Sequence, residues 1–303
     1  MARPFPTALW SAAPTPLTEH LAVDLPSVAR MIEQAVADGL HGVFLAGTCG
    51  EGMCLPNRER RRLIEVAART AQGRLQIAAQ VSDNSAARIL ENVEDVAAAG
   101  ANFAIIAPPY ALLNDTPERI TALFEEAVQA SPLPVGIYDL GAQRAFAIPA
   151  SGLKRIYLLP NVRFVKDSSA DPARRELALA ARREKPELRL YNGDEFRFLE
   201  YLEAGYDGCM FGGAVAVAAH LRRGVELFAG GRRREAAEVE RRMQDKLYGL
   251  YGGRDFACWL AGLKHYLVCQ GQFTSAASHF GYPLTDECRA FAERAAAAPD
   301  FLD

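Results

Sequence analysis

Gly42-Val43-Phe44-Leu45-Ala46 is a short apolar run that breaks into Gly47-Thr48-Cys49-Gly50-Glu51-Gly52. Asn57 to Ala71 then takes up helical spacing, with Leu63, Ile64 and Ala67 on one face. A run this short, apolar throughout and closed by turn residues, has the pattern of a strand buried on both faces, and the helix after it completes a βα unit. The unit recurs in both directions. Upstream, Thr7 to Ala12 reads as a strand and Leu25 to Asp38 as a helix, with Asp24 as its N-cap and Gly39 as its stop signal. Downstream, strand patterns at Leu75–Gln80, Phe103–Ala107, Val135–Tyr138, Val162–Val165, Leu188–Tyr191 and Gly208–Phe211 alternate with helical stretches. Those stretches run from Asn84 to Ala99, Thr116 to Ala130, Pro149 to Leu158, Asp171 to Arg183 and Glu195 to Ala204.

Eight strand candidates at regular spacing are the number a closed parallel (β/α)8 TIM barrel needs. An open doubly wound sheet would use fewer and carry a G-x-G-x-x-G turn after its first strand, which this sequence lacks. Past Phe228 only helical patterns remain: Arg234 to Leu250, Phe256 to Val268 and Asp286 to Ala298. The expected organisation is an α/β barrel over residues 1–228 with a C-terminal helical extension, 229–303, in the same structural unit.

Bulk properties narrow the function. Half of the 303 residues are hydrophobic, and 34 Lys and Arg stand against 37 Asp and Glu. That balance gives no electrostatic footprint for nucleic acid or an anionic membrane surface. The clusters Arg60-Arg61-Arg62 and Arg232-Arg233-Arg234 read as solvated helix faces. Met1 to Pro6 lacks the apolar run of a signal peptide, and the most apolar helix candidate carries Lys264, His265 and Gln270, which argues against a membrane span. Six scattered cysteines without a C-x-x-C pair read as free thiols in a reducing cytoplasm. The five histidines show no metal-ligand spacing, and H-E-x-x-H, G-x-S-x-G and P-loop motifs are absent, so no metal and no nucleotide cofactor is expected.

Barrel active sites lie at the carboxyl ends of the strands. Sorting polar residues by that position gives Thr48, Cys49 and Glu51 after the second strand, Tyr110 after the fourth, and Tyr138 and Asp139 at the fifth. The sixth ends in Lys166, the seventh in Asn192, Gly193 and Asp194. Lys166 decides the chemistry. A lysine at a buried strand end needs a partner or a purpose, and an amine held neutral by desolvation attacks carbonyl carbons to form a Schiff base. The plainer alternative is a loop lysine paired with Asp167. Tyr138 would shuttle protons, and the Gly47-Thr48-Cys49-Gly50 turn would offer backbone N–H groups near a helix start to a carboxylate. Cys49 as a nucleophile lacks a nearby histidine; inert buried thiol is the plainer reading.

Gly47-Thr48-Cys49-Gly50-Glu51, Tyr138-Asp139 and Val165-Lys166-Asp167-Ser168-Ser169 together resemble the dihydrodipicolinate synthase / N-acetylneuraminate lyase family, and the resemblance covers nearly the whole chain. It implies a TIM-barrel class I lyase or aldolase acting on pyruvate or a 2-keto acid, with Lys166 forming the imine and Tyr138 transferring protons. Thr48 and the amide of Cys49 would hold the keto-acid carboxylate, and Gly193 and Met210 would line the pocket with backbone groups. A covalent lysine imine would serve in place of a cofactor, and a homotetramer or homodimer is implied. Three departures bear on the substrate. Cys49 replaces a second hydroxyl residue, and Tyr110 is followed by Ala111 where family synthases have a second tyrosine. The position of the family's carboxylate-binding arginine holds Gln143, with Arg144 next. The expected reaction is therefore aldol cleavage, condensation or dehydration of a 2-keto-3-deoxy acid. The alternatives are the family's condensation of pyruvate with aspartate semialdehyde, and a non-catalytic keto-acid binder or structural member.

Overall fold

The computed structural model describes residues 7–298; the Met1–Pro6 segment lies outside them. The eight strands are β1 (Ala8–Ser11), β2 (Gly42–Leu45), β3 (Gln76–Gln80), β4 (Phe103–Ile106), β5 (Val135–Asp139), β6 (Val162–Asp167), β7 (Arg189–Asn192) and β8 (Gly208–Phe211). Each pairs in parallel with the next, and β8 returns to β1 with Ala8 opposite Gly208 and Ser11 opposite Phe211, closing the barrel. The helices α1 (Leu25–Ala37), α2 (Asn57–Ala71), α3 (Ala86–Ala98), α4 (Pro117–Ala130), α5 (Ala150–Tyr157), α6 (Pro172–Glu184), α7 (Phe198–Ala204) and α8 (Ala214–Ala229) alternate with them. Then come α9 (Arg233–Leu250), α10 (Trp259–Cys269) and α11 (Asp286–Ala297).

Local chemistry sets many of these ends. Asp24 accepts the Ser27 amide, Ser85 that of Arg88, Thr116 that of Arg119 and Asp171 that of Ala173, so the side chains cap α1, α3, α4 and α6. Each satisfies one of the orphan N–H groups of a helix start. Pro117 and Pro172 begin α4 and α6, where a missing N–H costs nothing.

Side chains sort by the period of two along the strands. Trp10, Phe44, Ile105, Tyr138, Phe164 and Met210 fill the barrel interior, whereas Val43, Ile137, Val165 and Leu190 face the helices.

The structure departs from the sequence reading in four places. Helix α8, unmarked by the pattern, follows β8 directly and is kinked at Val217. The helix expected from Glu195 starts only at Phe198, because the Asp194 carboxylate accepts the Phe196 amide and holds residues 194–197 in a turn. The one expected from Phe256 starts at Trp259, after an irregular loop in which Phe256 has φ 55°. Arg60 is no solvated residue. It is 5% exposed, and its guanidinium donates to Asn57 and Asn92.

Candidate active site

The ladder places the two central residues. Tyr138 on β5 is the register partner of Lys166 on β6. Two residues on from Phe164, Lys166 shares its lumen-facing side, and its neighbours Val165 and Asp167 point outward. The side chain is 4% exposed. Its Nζ lies 4.2 Å from the centroid of the Tyr138 ring and 4.9 Å from that of Phe44, and the two rings meet edge to face at 5.7 Å. No carboxylate pairs with this amine among the described residues. Asp167 is occupied elsewhere, accepting the Tyr206 hydroxyl at 2.6 Å and the Ser169 amide at 2.9 Å. The loop-lysine alternative is thereby removed, since Lys166 is neither in a loop nor paired with Asp167.

Asp139 also leaves the reacting set. It faces outward and receives the Arg174 guanidinium through both carboxylate oxygens at 2.7 and 2.9 Å, with Tyr157 at 3.1 Å. This buried pair ties β5 to α6 behind the site.

The lysine stem needs room, and residue 193 supplies it. A Cβ built on Gly193 would lie 2.0 Å from Ser168 Oγ and 3.0 Å from Lys166 Cε. The Gly193 amide donates to the Asp167 carbonyl at 2.7 Å, which draws the end of β7 against the lysine strand.

The turn after β2 is tightly built. Ala46 and Glu51 both hold φ above 50°, a conformation that costs a non-glycine residue about 1–3 kcal/mol. A Cβ on Gly52 would strike the Ala46 carbonyl oxygen at 1.7 Å. What fixes this strained turn is Glu51, which is fully buried. It pairs with Lys264 of α10 at 2.5 Å and accepts the Ser278 hydroxyl at 2.8 Å and the His279 amide at 2.5 Å. Burial pushes the Lys264 ammonium down and the Glu51 carboxylate opposes that shift. Thr48 and Cys49 thus face the cavity on a clamped turn, their amides unused by protein acceptors among the described residues. The turn is no helix start, since α2 begins only at Asn57 behind Pro56. Cys49 is no nucleophile in this setting, because burial, with Glu195 nearby, pushes its thiol up to about 12.

The cavity encloses about 720 Å³ and is lined by Thr48, Cys49, Tyr138, Arg144, Lys166 and Gly193 among others. Arg144 therefore does reach it, from the turn after β5, whereas the neighbouring Gln143 does not line it. Of the residues singled out from the sequence, Glu51, Asp139 and Asn192 do not line it, and three expected to bind substrate are not brought to it either. Tyr110 is held aside, its hydroxyl accepting from Gln80 at 2.9 Å and its amide donating to Asn84. Met210 is fully buried in the barrel interior beneath the cavity, and Gly212 lines it instead. Gly47 packs against the Phe44 ring, where a Cβ would come within 2.7 Å.

The sequence reading missed most of one wall. Glu195 lines the cavity and accepts the Tyr251 hydroxyl and the Gly213 amide, each at 2.7 Å; burial pushes its carboxyl above the usual range. From the extension come Gln244, Tyr248, Tyr251, Arg254, Phe256 and Tyr282. The signals available were Asp194-Glu195 directly behind a strand and Gly252-Gly253 behind a helix, a common helix-stop pattern. Nothing in the sequence marked Gln244 or Tyr248.

Comparison with known proteins agrees with the barrel fold. The sequence profile of the Dihydrodipicolinate synthetase family matches residues 6–275. A curated 4-hydroxy-tetrahydrodipicolinate synthase from Phenylobacterium zucineum is 30% identical over 188 residues, 62% of this chain and 63% of that protein. The crystal structure of a dihydrodipicolinate synthase from Thermotoga maritima superposes with a TM-score of 0.86, covering 98% of this chain and 99% of its own at 18% identity. A prophage protein of the dihydrodipicolinic acid synthase family from E. coli K12, solved in complex with pyruvate, gives 0.83, covering 95% and 96% at 19% identity.

Proposed function

Because this chain belongs to the Dihydrodipicolinate synthetase family, we propose that it is a class I lyase or aldolase working through an imine between Lys166 and the keto carbon of pyruvate or a 2-keto acid. The observation that carries the reading is a buried amine with no carboxylate partner among the described residues, registered across the ladder from a tyrosine. The Lys166 nitrogen attacks the keto carbon, an N–C bond forms, and the carbonyl oxygen departs as water. Tyr138, whose ring touches that amine, carries protons to the leaving oxygen. It later carries them to the carbon at which the bond is made or broken. The imine withdraws electrons from the adjacent carbon, so a carbon–carbon bond one position further is cleaved or formed, or a hydroxyl is lost there, with no cofactor required. Thr48 and the amides of Thr48 and Cys49 receive the keto-acid carboxylate.

We favour a 2-keto-3-deoxy acid as substrate. The cavity is several times larger than a three-carbon acid needs, and Gln244, whose Nε2 donates to the Phe196 carbonyl, keeps its amide oxygen for a substrate hydroxyl. Condensation of pyruvate with aspartate semialdehyde is the second reading, favoured by Arg144 on the cavity wall and by the relative from Phenylobacterium zucineum. A homotetramer or homodimer belongs to the same proposal, supported by the exposed Tyr110 and Leu113 on the loop after β4. A cytoplasmic setting does too, supported by six unbridged cysteines. No helix among the described residues is long and apolar enough to cross a membrane.

The test is to incubate the protein with pyruvate, reduce with borohydride and locate the adduct by mass. A stable adduct on Lys166 is expected, and an unmodified lysine would sink the imine reading. Ordinary turnover of pyruvate with aspartate semialdehyde would move the second reading to first place.

A further inference from the structure

The cavity carries more positive charge than an imine with pyruvate uses. Beside Lys166 its walls hold three guanidinium groups, Arg144, Arg197 and Arg254, against two carboxylates, Asp194 and Glu195. Asp194 is taken by Arg197 at 2.7 Å. Glu195 is taken by the Tyr251 hydroxyl and the Gly213 amide, and its burial favours the protonated form. Neither Arg144 nor Arg254 forms an ion pair with a carboxylate of this chain among the described residues. A guanidinium cannot shed its proton, so two permanent charges face the space beyond the reacting carbon.

Of the two, Arg254 is the one held ready. Its guanidinium carbon lies 4.6 Å from the centroid of the Tyr248 ring. Stacking on an aromatic face fixes the plane of the group and leaves its N–H edge open for a bidentate acceptor. The shelf beneath is rigid, because Tyr248 stacks on Phe196 at 4.4 Å and Phe256 stacks on Phe196 at 5.5 Å. Phe256 takes a left-handed backbone, φ 55°, to reach this stack while 38% exposed. Backbone strain at a bulky exposed residue needs a stabilising surround, and such strain collects at functional sites. The loop is also tied back through the Gly253 amide to Tyr248 and the Cys258 amide to Tyr251, both at 2.8 Å. Arg144, by contrast, sits in a turn closed by a 3.4 Å backbone contact to Gly141, with no ring stacked on it among the described residues.

We infer that Arg254, delivered by the loop between α9 and α10, is a specificity-determining residue that binds a second carboxylate of the substrate, remote from the keto group. The substrate class is then a 2-keto diacid. This rests on the Lys166 imine, and the test keeps the two apart.

Borohydride trapping on Lys166 is measured against concentration for matched pairs that differ only in the terminal group: 2-oxoglutarate with 2-oxopentanoate, and 2-oxoadipate with 2-oxohexanoate. Each half-saturation is divided by that for pyruvate in the same protein, which cancels changes in the amine itself. The wild-type protein should favour the diacid by about tenfold or more at one chain length at least, the worth of one charge-assisted contact. Arg254→Met, which keeps a stem over Tyr248, should erase the preference, and Arg254→Lys should keep part of it. Equal trapping of diacid and monoacid at both lengths would overturn the inference. So would a preference that survives Arg254→Met, or one that only Arg144→Met removes. Absence of any pyruvate adduct overturns instead the imine reading beneath it, and this inference with it.

Discussion

The two ends of the cavity are built by different means. The end that holds Lys166 and Tyr138 is made of strands, and the parallel ladder sets their positions to within a residue. The end that holds Arg254, Phe256 and Tyr282 is made of loops and helices beyond the barrel, placed by ring stacking and a strained backbone. A ladder can hardly slip without turning every side chain to the other face. A loop tolerates exchange of one side chain for another far better. Chemistry on the first and selectivity on the second is the division this asymmetry favours, and mutation can break it.

The largest effect is expected at the strand end. Lys166→Met removes the only nucleophile in the proposed mechanism. It should abolish the borohydride adduct and lower turnover by about 10⁴-fold or more, with the far-ultraviolet circular dichroism spectrum unchanged. Residual activity near the wild-type rate would place the chemistry somewhere other than the barrel rim.

Next comes the tie between the two ends. Glu51 of the β2 turn and Lys264 of α10 form a fully buried ion pair, so the same bond clamps the turn that carries Thr48 and Cys49 and anchors the extension. Removing one partner strands a buried charge and costs about 3–5 kcal/mol. Lys264→Met and Glu51→Gln should each show that loss in urea unfolding, and each should weaken keto-acid trapping as the strained turn relaxes. The double variant should recover part of the stability, since it leaves no lone charge. Full additivity of the two losses would mean that the clamp is not a pair in solution.

Tyr138→Phe separates function from packing within the strand end. The ring that contacts Phe44 and Lys166 stays, and the hydroxyl has no protein partner to lose among the described residues. Stability should hold while imine formation slows by roughly 10²–10⁴-fold, the usual share of a proton-transfer group. An unfolding midpoint that falls with the rate would assign Tyr138 to the core and not to catalysis.

The same division explains what could be read from the sequence. Strand runs such as Gly42–Leu45 and Val162–Asp167 are short, apolar and bounded by turn residues, so the barrel and the meeting of Lys166 with Tyr138 were legible. Glu195 and Phe256 were absorbed into helical patterns that run past the true helix starts at Phe198 and Trp259. Local pattern says helix there, and tertiary contacts override it: Asp194 captures the Phe196 amide, and Phe256 joins a ring stack. Both overrides fall on the cavity wall, where local and global preferences are expected to disagree. Tyr110 departs for a different reason. A strand's carboxyl end marks the rim but not which way a side chain turns, and Gln80 with Asn84 hold Tyr110 aside.

The smallest effect concerns Glu195, where the two ends touch. Burial raises its carboxyl above the ordinary value near 4.5, and the hydrogen bonds from the Tyr251 hydroxyl and the Gly213 amide pull it only partly back. The folded protein therefore holds this proton more tightly than the unfolded chain. The stability that comes with it is complete below about pH 4.5 and declines as the pH rises through the folded-state value. Glu195→Gln has no proton to release and keeps a carbonyl for the Gly213 amide, while the Tyr251 hydroxyl can turn to accept from the new amide. The melting temperature of the variant minus that of the wild type should be smallest near pH 4 and grow by a few degrees toward neutrality. Other buried acids, Asp167 among them, titrate in both proteins and cancel in that difference. A difference that shrinks as the pH rises would mean that Glu195 is ionised and held by the cations of the cavity. The excess positive charge facing the substrate would then be smaller by one, and the case for a second carboxylate at Arg254 correspondingly weaker.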